Sequence, residues 1–565
     1  MNAMPFYLSI LSCRAPCIVQ RSMLGALLGL LLSACAVGPD YKRPELDIGA
    51  QYKEGAAEFA GWKPAQPKDA AERSQWWRLY GDTALNTLID QLNIANQDIV
   101  QAEANYRQAQ TLVSGSRAGF FPTLGTDAGV TRSGSGAKSS DSGVSNQYSL
   151  SANAGWELDV WGRVRRGVEA TQASAQASAA DLAGARLSAQ ATLAQTYFQL
   201  RIQDEQIRLL NATLLTYERS LQLIQNRYDA GVTGKADVVV ARTQLENARV
   251  QVLDAQWQRA QYEHALAVLT GQAPLQFALA PAPEFLQEPP MIPAGLPSQL
   301  LERRPDVAAS ERRVAQANAE IGVAQAAWFP DLTLSANGGF RNGQFSQWLT
   351  APAQYWSLGP ALALTVFDGR ARQAQLDKAR AGYDAQVASY RQTVLVALRE
   401  VEDYLIQLRI QEQEQVVQSR ALESARESLQ LTLNQYKEGM MDYLSVAGLE
   451  AFALSSERNT LNLIGTRLTT SVQLIAALGG GWEGLPDLAH DSGTDLEPGL
   501  IRFLSDQPAY SRYSVRAVLA RQFTGCLRLA AQREHRQAGI PDFLTKALPA
   551  QALMARMRWR RQYRA

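Results

Sequence analysis

Apolar residues stand at Leu376, Ala379, Tyr383, Val387, Tyr390, Val394, Leu398, Val401, Leu405 and Leu408, nine steps from first to last. The mean step is about 3.56, between the straight-helix and coiled-coil periods, so the stripe predicts a helix packed along its length against others. The proline-free run from Arg163 to Asp229 is 67 residues, and as one helix at 1.5 Å per residue it would reach about 100 Å. Further helices are predicted over 237–269 and 443–478. Each follows a glycine-containing turn, RYDAGVTGKAD at 227–237 and QYKEGMMDY at 435–443. The turns predict antiparallel helical hairpins.

Elsewhere the period falls to two. Candidate strands are LGTDAGVTR at 124–132, YSLSANAGWELDVW at 148–161, DLTLSANGGF at 331–340 and WSLGPALALTVF at 356–367. In the last of these, Leu358, Leu362, Leu364 and Val366 share a face. Each strand pair follows a helix that stops at Phe-Pro, Pro122 or Pro330, because proline forbids continuation. Each pair precedes a Gly-Arg step, at 162–163 and at 369–370.

These two sets of elements are copies. Asp98, Glu103 and Pro122 correspond to Asp306, Glu311 and Pro330, and Tyr228 and Gly231 to Tyr436 and Gly439, always at an offset of 208. An offset held across helix, corner and turn indicates an internal two-fold repeat rather than chance likeness of alanine-rich helices.

Charge and cysteine usage add an address. From Gly499 onward there are 13 Lys and Arg against 3 Asp and Glu, leaving 42 against 51 in the rest, an acidic body with a basic tail. No cysteine lies between Ala36 and Gly525, and the histidines are His264, His490 and His535, so no disulfide framework, metal centre or cofactor is expected. Arg14 and Arg21 precede the apolar run MLGALLGLLL at 23–32, which ends in LSAC at 32–35. The run is too short to span a bilayer but suits a signal peptide. The small residues before Cys35 form a lipoprotein cleavage pattern, so Cys35 is expected to carry the lipid. Acyl chains add roughly 0.8 kcal/mol of membrane affinity per buried methylene.

The expected division is a signal peptide at 1–34, a lipid-anchored segment at 35–84, repeats at 85–275 and 298–485 around a linker at 276–297, and an extension at 486–565. Whether the basic tail meets anionic lipid or is an unstructured addition stays open, and no nucleic-acid partner is expected. Nothing in the chain resembles a nucleophile elbow, a metal-ligand cluster or a phosphate loop, so no enzymatic activity is expected. Glu157 and Asp159, beside Trp156 and Trp161, read as a membrane-boundary junction.

Strands of about ten residues suit a tilted transmembrane β-strand, but four from one chain cannot close, and lipid admits only closed barrels. Three chains would supply twelve strands. Small soluble sheets capping a coiled coil remain the alternative. CAVGPDYKRPE at 35–45, WELDVWGRVR at 156–165, GLPSQLLERRPDV at 295–307 and FPDLTLSANGGF at 329–340 resemble the NodT-type lipoproteins of the TolC-like outer-membrane efflux family, over roughly residues 35–485. The resemblance implies a mixed α and β membrane protein, a homotrimer with a twelve-stranded β-barrel in the outer membrane and a long α-helical barrel across the periplasm. It implies the passive exit duct of a tripartite pump, partnered by a periplasmic adaptor and an inner-membrane transporter of the resistance-nodulation-division or a similar type. A protein-secretion exit channel and a non-conducting, periplasm-spanning lipoprotein are the other readings.

By the same resemblance the two turns form the periplasmic tip, with Tyr228, Gly231, Gly234, Tyr436 and Gly439 at the adaptor-docking end. Family members often carry an aspartate after the second turn, in a Tyr-Leu-x-x-Leu-Asp pattern that makes an acidic ring. Here YLSVAGLE at 443–450 puts Gly448 at that position, and Asp442 and Glu450 are the carboxylates expected to constrict the mouth instead.

Overall fold

Capping side chains and proline set the element boundaries. Asp82 caps helix α1, Thr83–Ala95, by accepting from the amides of Ala84 and Leu85, and Asn96 caps α2, Gln97–Arg117, in the same way. The structure, a computed structural model, describes residues 36–46, 52–53, 73–134, 144–282, 285, 288–290, 292 and 303–480. The expected signal peptide, Cys35 and the extension from 486 lie outside the described residues. After α2 come β1 (Thr123–Gly134), β2 (Val144–Leu158), α3 (Arg163–Asp229), α4 (Lys235–Leu269) and α5 (Pro305–Ala326). They are followed by β3 (Asp331–Asn342), β4 (Gln354–Ala363), α6 (Ala371–Lys437) and α7 (Tyr443–Ala477).

Both long helices, α3 and α6, hold 67 residues, and both returning helices, α4 and α7, hold 35. The starts of α6 and α7 follow those of α3 and α4 at the offset of the sequence repeat, 371 less 163 and 443 less 235. α3 packs against α4, α5, α2 and α7, and α6 against α7 and α5, so no long helix depends on its own propensity for stability. Gly465 allows one such approach, because a Cβ there would meet the Ile202 side chain at 2.9 Å.

The strands form one antiparallel sheet in the order β1-β2-β3-β4. β2 and β3 join the two copies, from Tyr148 opposite Asn342 to Leu158 opposite Leu332. β1 and β4 are the edges, and neither has a second neighbour in this chain among the described residues. Apolar side chains such as Leu124, Val130, Trp356 and Leu362 stand exposed on the sheet.

Two strands end earlier than the alternation suggests. β2 stops at Leu158 rather than at 161 because Asp159 turns away to accept from the amides of Val164 and Arg165, both at 2.9 Å, which starts α3. β4 stops at Ala363 rather than at 367 because Ala363 lies opposite Asp331, the first residue of β3. Leu364 and Val366 therefore have no ladder partner on that side.

The main core surrounds the middle of the long helices. Trp76, Tyr80, Leu85, Ile89 and Leu92 pack there against Tyr197 and Phe198 of α3, Val394 and Leu405 of α6, and Leu468 and Val472 of α7. The chain after α4 is tied to this belt by paired, buried charges. Arg201 donates to the Ala280 carbonyl at 2.7 Å and Arg259 to the Leu279 carbonyl at 2.5 Å, while Asp204 accepts from both arginines. Buried charges persist only when paired in this way.

Candidate functional site

The end of the hairpins farthest from the sheet is built from two matching turns. In the first, the Gly231 amide donates to the Tyr228 carbonyl and the Val232 amide to the Arg227 carbonyl, each at 2.8 Å. In the second, Gly439 donates to Tyr436 at 3.1 Å and Met440 to Gln435 at 2.9 Å. This pairing closes a helix on a left-handed residue, and Gly231 and Gly439 supply it with φ of 71° and 73°. Gly234 then takes an extended conformation at the start of α4 without any side-chain cap.

The two turns differ in their side chains. Tyr228 is exposed, whereas Tyr436 is buried beneath the Arg227 guanidinium, 4.9 Å from its ring centre, and meets Tyr443 edge-on at 5.8 Å. The position matching Tyr443 in the first turn is Lys235, so only one turn carries an aromatic pair. Ile224 of α3, Val238 and Ala241 of α4, Tyr436 of α6, and Tyr443, Val446 and Ala447 of α7 form a small separate core. All four helices therefore meet at the tip.

Of the two carboxylates that the sequence brings to this mouth, the structure leaves one in water and buries the other. Asp442 is exposed and caps α7, accepting from the Ser445 amide at 3.0 Å and its hydroxyl at 2.6 Å. These bonds hold its carboxyl below the usual carboxylate range. Glu450 does not face solvent in this chain but is only 8 % exposed. It falls on the same helical stripe as Tyr443, Val446, Ala447, Ala453 and Leu454, all buried, and that stripe packs on α3 and α4. Burial pushes its carboxyl up to about 7, and Gln244 lowers it only in part. Gly448 is exposed, and a Cβ built there would meet nothing within 4 Å. Tyr217 and Gln244, which face Glu450 from α3 and α4, belong to the site without any sequence signal, and Arg227, the first residue of the first turn, gains its role only across helices, over the Tyr436 ring.

Above the tip, the first described residues reach the junction of strands and helices. The Val37 amide donates to the Trp161 carbonyl at 3.1 Å, and the Trp161 indole donates to the Pro330 carbonyl at 2.8 Å while its ring stacks on Phe329. Arg166 gathers the Val37 and Gly38 carbonyls and the Asp40 carboxylate. Among the described residues no group of three or more metal-ligating side chains exists, and no helix is long and apolar enough to cross a membrane.

A sheet with exposed apolar residues leading into paired 67-residue helices is an arrangement shared with known proteins. The family model for outer membrane efflux proteins matches residues 88–272 and 296–480. The chain belongs to the outer membrane efflux protein family. The two matches begin and end at the offset that relates the helices, 296 less 88 and 480 less 272. A relative named as a probable efflux pump outer membrane protein, TtgC of Pseudomonas putida, is 30% identical over 470 residues, covering 82% of this chain and 96% of the relative. The cation efflux system protein CusC of Escherichia coli is 28% identical, with coverage of 83% and 100%. The solved outer-membrane channel OprN superposes with a TM-score of 0.74 at 32% identity, covering 80% of this chain and all of that one.

Proposed function

We propose that three copies of this chain form an outer-membrane exit duct, four strands from each closing a twelve-stranded barrel above a tube of helices. Solutes would pass through it passively from an inner-membrane transporter and a periplasmic adaptor, with no chemistry in this chain. The observation that carries the reading is the sheet itself. It exposes leucines and tryptophans, leaves both edge strands unpaired among the described residues and runs directly into helices about 100 Å long. Unpaired edges in lipid are untenable, and neighbouring copies would pair them.

Cys35 fits the same reading. Ala36, the next residue, packs beside Gly162 at the foot of the sheet, where acyl chains on Cys35 would meet the inner surface of the outer membrane. At the other end, Tyr228, Gly231, Gly234 and Gly439 would present the docking surface for the adaptor, whereas Tyr436, expected there from the sequence, is buried in the tip core and would support that surface from beneath. The exposed Asp442 is the carboxylate that would ring the mouth.

The test is twofold. Unheated membrane protein should migrate on a gel as a trimer and heated protein as a monomer, and reconstituted protein should conduct ions across a planar bilayer. A monomer in both lanes with no conductance would sink the duct in favour of a non-conducting lipoprotein.

A further inference from the structure

Glu450 occupies a core position of α7 between apolar neighbours. Going up the helix, Tyr443, Val446 and Ala447 precede it in the tip core, and Leu454 follows it in a second cluster with Leu210, Val252 and Ala255. A third cluster, Tyr217, Leu245 and Ala248, joins α3 to α4 beside it. Its Oε2 is buried without a hydrogen-bond partner. The groups facing it are the Tyr217 hydroxyl from α3, the Gln244 amide from α4 and the Tyr443 hydroxyl from α7. Gln244, whose amide also reaches the Glu450 carboxyl, donates to the Ala447 carbonyl at 2.8 Å and accepts from the Tyr443 hydroxyl at 3.1 Å. Among the described residues no basic side chain pairs with Glu450.

We propose that Glu450 is a proton-controlled latch: while its carboxyl is protonated α7 stays packed on α3 and α4, and loss of the proton favours their separation at the tip. A neutral carboxyl is tolerated in that seam, whereas a buried carboxylate without a cation is strongly disfavoured and becomes hydrated when the helices part. Glu450 lies two helical turns above Tyr443, roughly 10 Å along the axis, so parting there reaches the tip core directly.

The sign follows from where the proton is held more tightly. The packed carboxyl titrates at about 7, against 4.5 when free, so the packed state is the better proton acceptor. Acid favours the closed tip, and its packing weakens as pH rises from about 4.5 through about 7, levelling off above. Between pH 5 and pH 8 the ratio of parted to packed α7 would rise by roughly one to two orders of magnitude per chain.

Hydrogen exchange over 443–454 in the full-length trimer, corrected for intrinsic pH dependence, measures this directly. The parent should open more readily as pH rises through 7, Glu450→Gln should show no such rise, and Glu450→Leu should stay protected throughout. A parent profile that is flat, or a Glu450→Gln profile that still follows the parent, overturns the assignment; if Glu450→Gln fails to fold, Glu450→Leu decides. Channel recordings extend the test to gating, the part that rests on the duct reading. There the parent should open more often at pH 8 than at pH 5, and Glu450→Gln should not. Exchange that responds to pH in a protein with no conductance at all would refute the duct and keep the latch. Conductance without any pH-dependent exchange would do the reverse.

Discussion

The side-chain amide of Asn96 donates a 2.9 Å hydrogen bond to the carbonyl of Leu269, fastening the start of α2 to the end of α4. At the equivalent places in the second copy, Arg304 donates to the Ala477 carbonyl at 3.1 Å and so fastens α5 to α7. The donors differ but the task is the same, since the last carbonyls of a helix have no partner within it. Together the 35 residues of α4 and the 21 of α2 flank most of the 67-residue α3.

These two clasps should differ in strength. Arg304 also holds Glu400 at 2.8 Å and Asp306 at 2.7 Å; both carboxylates reach solvent, so Arg304→Ala loses mainly the charge-assisted bond to the carbonyl and two screened ion pairs, about 2–3 kcal/mol. Asn96→Ala loses a cap and one bond, about 1–2 kcal/mol. Chemical unfolding of the two variants should rank them in that order; equal midpoints would refute it.

The glycines beside the clasps are stricter than those at the tip. A Cβ on Gly271 would fall on the Ala95 carbonyl oxygen, and one on Gly479 on that of Arg303, whereas Gly231 and Gly439 have open space. All four have positive φ. Alanine at 231 or 439 should cost only the left-handed penalty, about 1–2 kcal/mol. At 271 or 479 the overlap adds to it, and trimer yield on an unheated gel should fall more sharply. Similar yields for all four would show that the overlap is relieved by a backbone shift.

Gly448 is open to substitution. Gly448→Ala should stabilise α7 by about 0.5–1 kcal/mol, because glycine weakens a helix interior. Gly448→Asp should fit equally well and raise cation selectivity in single-channel recordings, while Asp442→Asn should lower it. An unchanged reversal potential in both variants would remove these positions from the mouth.

Lipidation at Cys35 predicts that Cys35→Ala abolishes incorporation of labelled palmitate. Continued labelling would refute the assignment. Because residues 36–46 are held independently by Asn318 at Pro39 and by Glu311 at Tyr41, the variant should still fold.

Local chemistry made the scaffold legible in advance. Proline after Phe121 and Phe329, and the left-handed glycines at 231 and 439, end their helices through local chemistry, so the long helices could be read from the chain alone. The repeat offset likewise announced which elements match. By contrast, the sequence could not tell Asp442 from Glu450, because both are carboxylates near one turn. Only the packing of α7 on α3 and α4 turned Glu450 inward and left Asp442 in water as a cap. The same holds for Tyr228 and Tyr436, alike in sequence and opposite in exposure, and for Asn96 and Arg304, whose partners lie 173 residues away. Element length and turn position depend on neighbours along the chain, whereas burial and pairing depend on neighbours in space. That physical difference is why helices, turns and repeat followed from the amino-acid order, and why the state of Glu450 was decided by the tertiary structure.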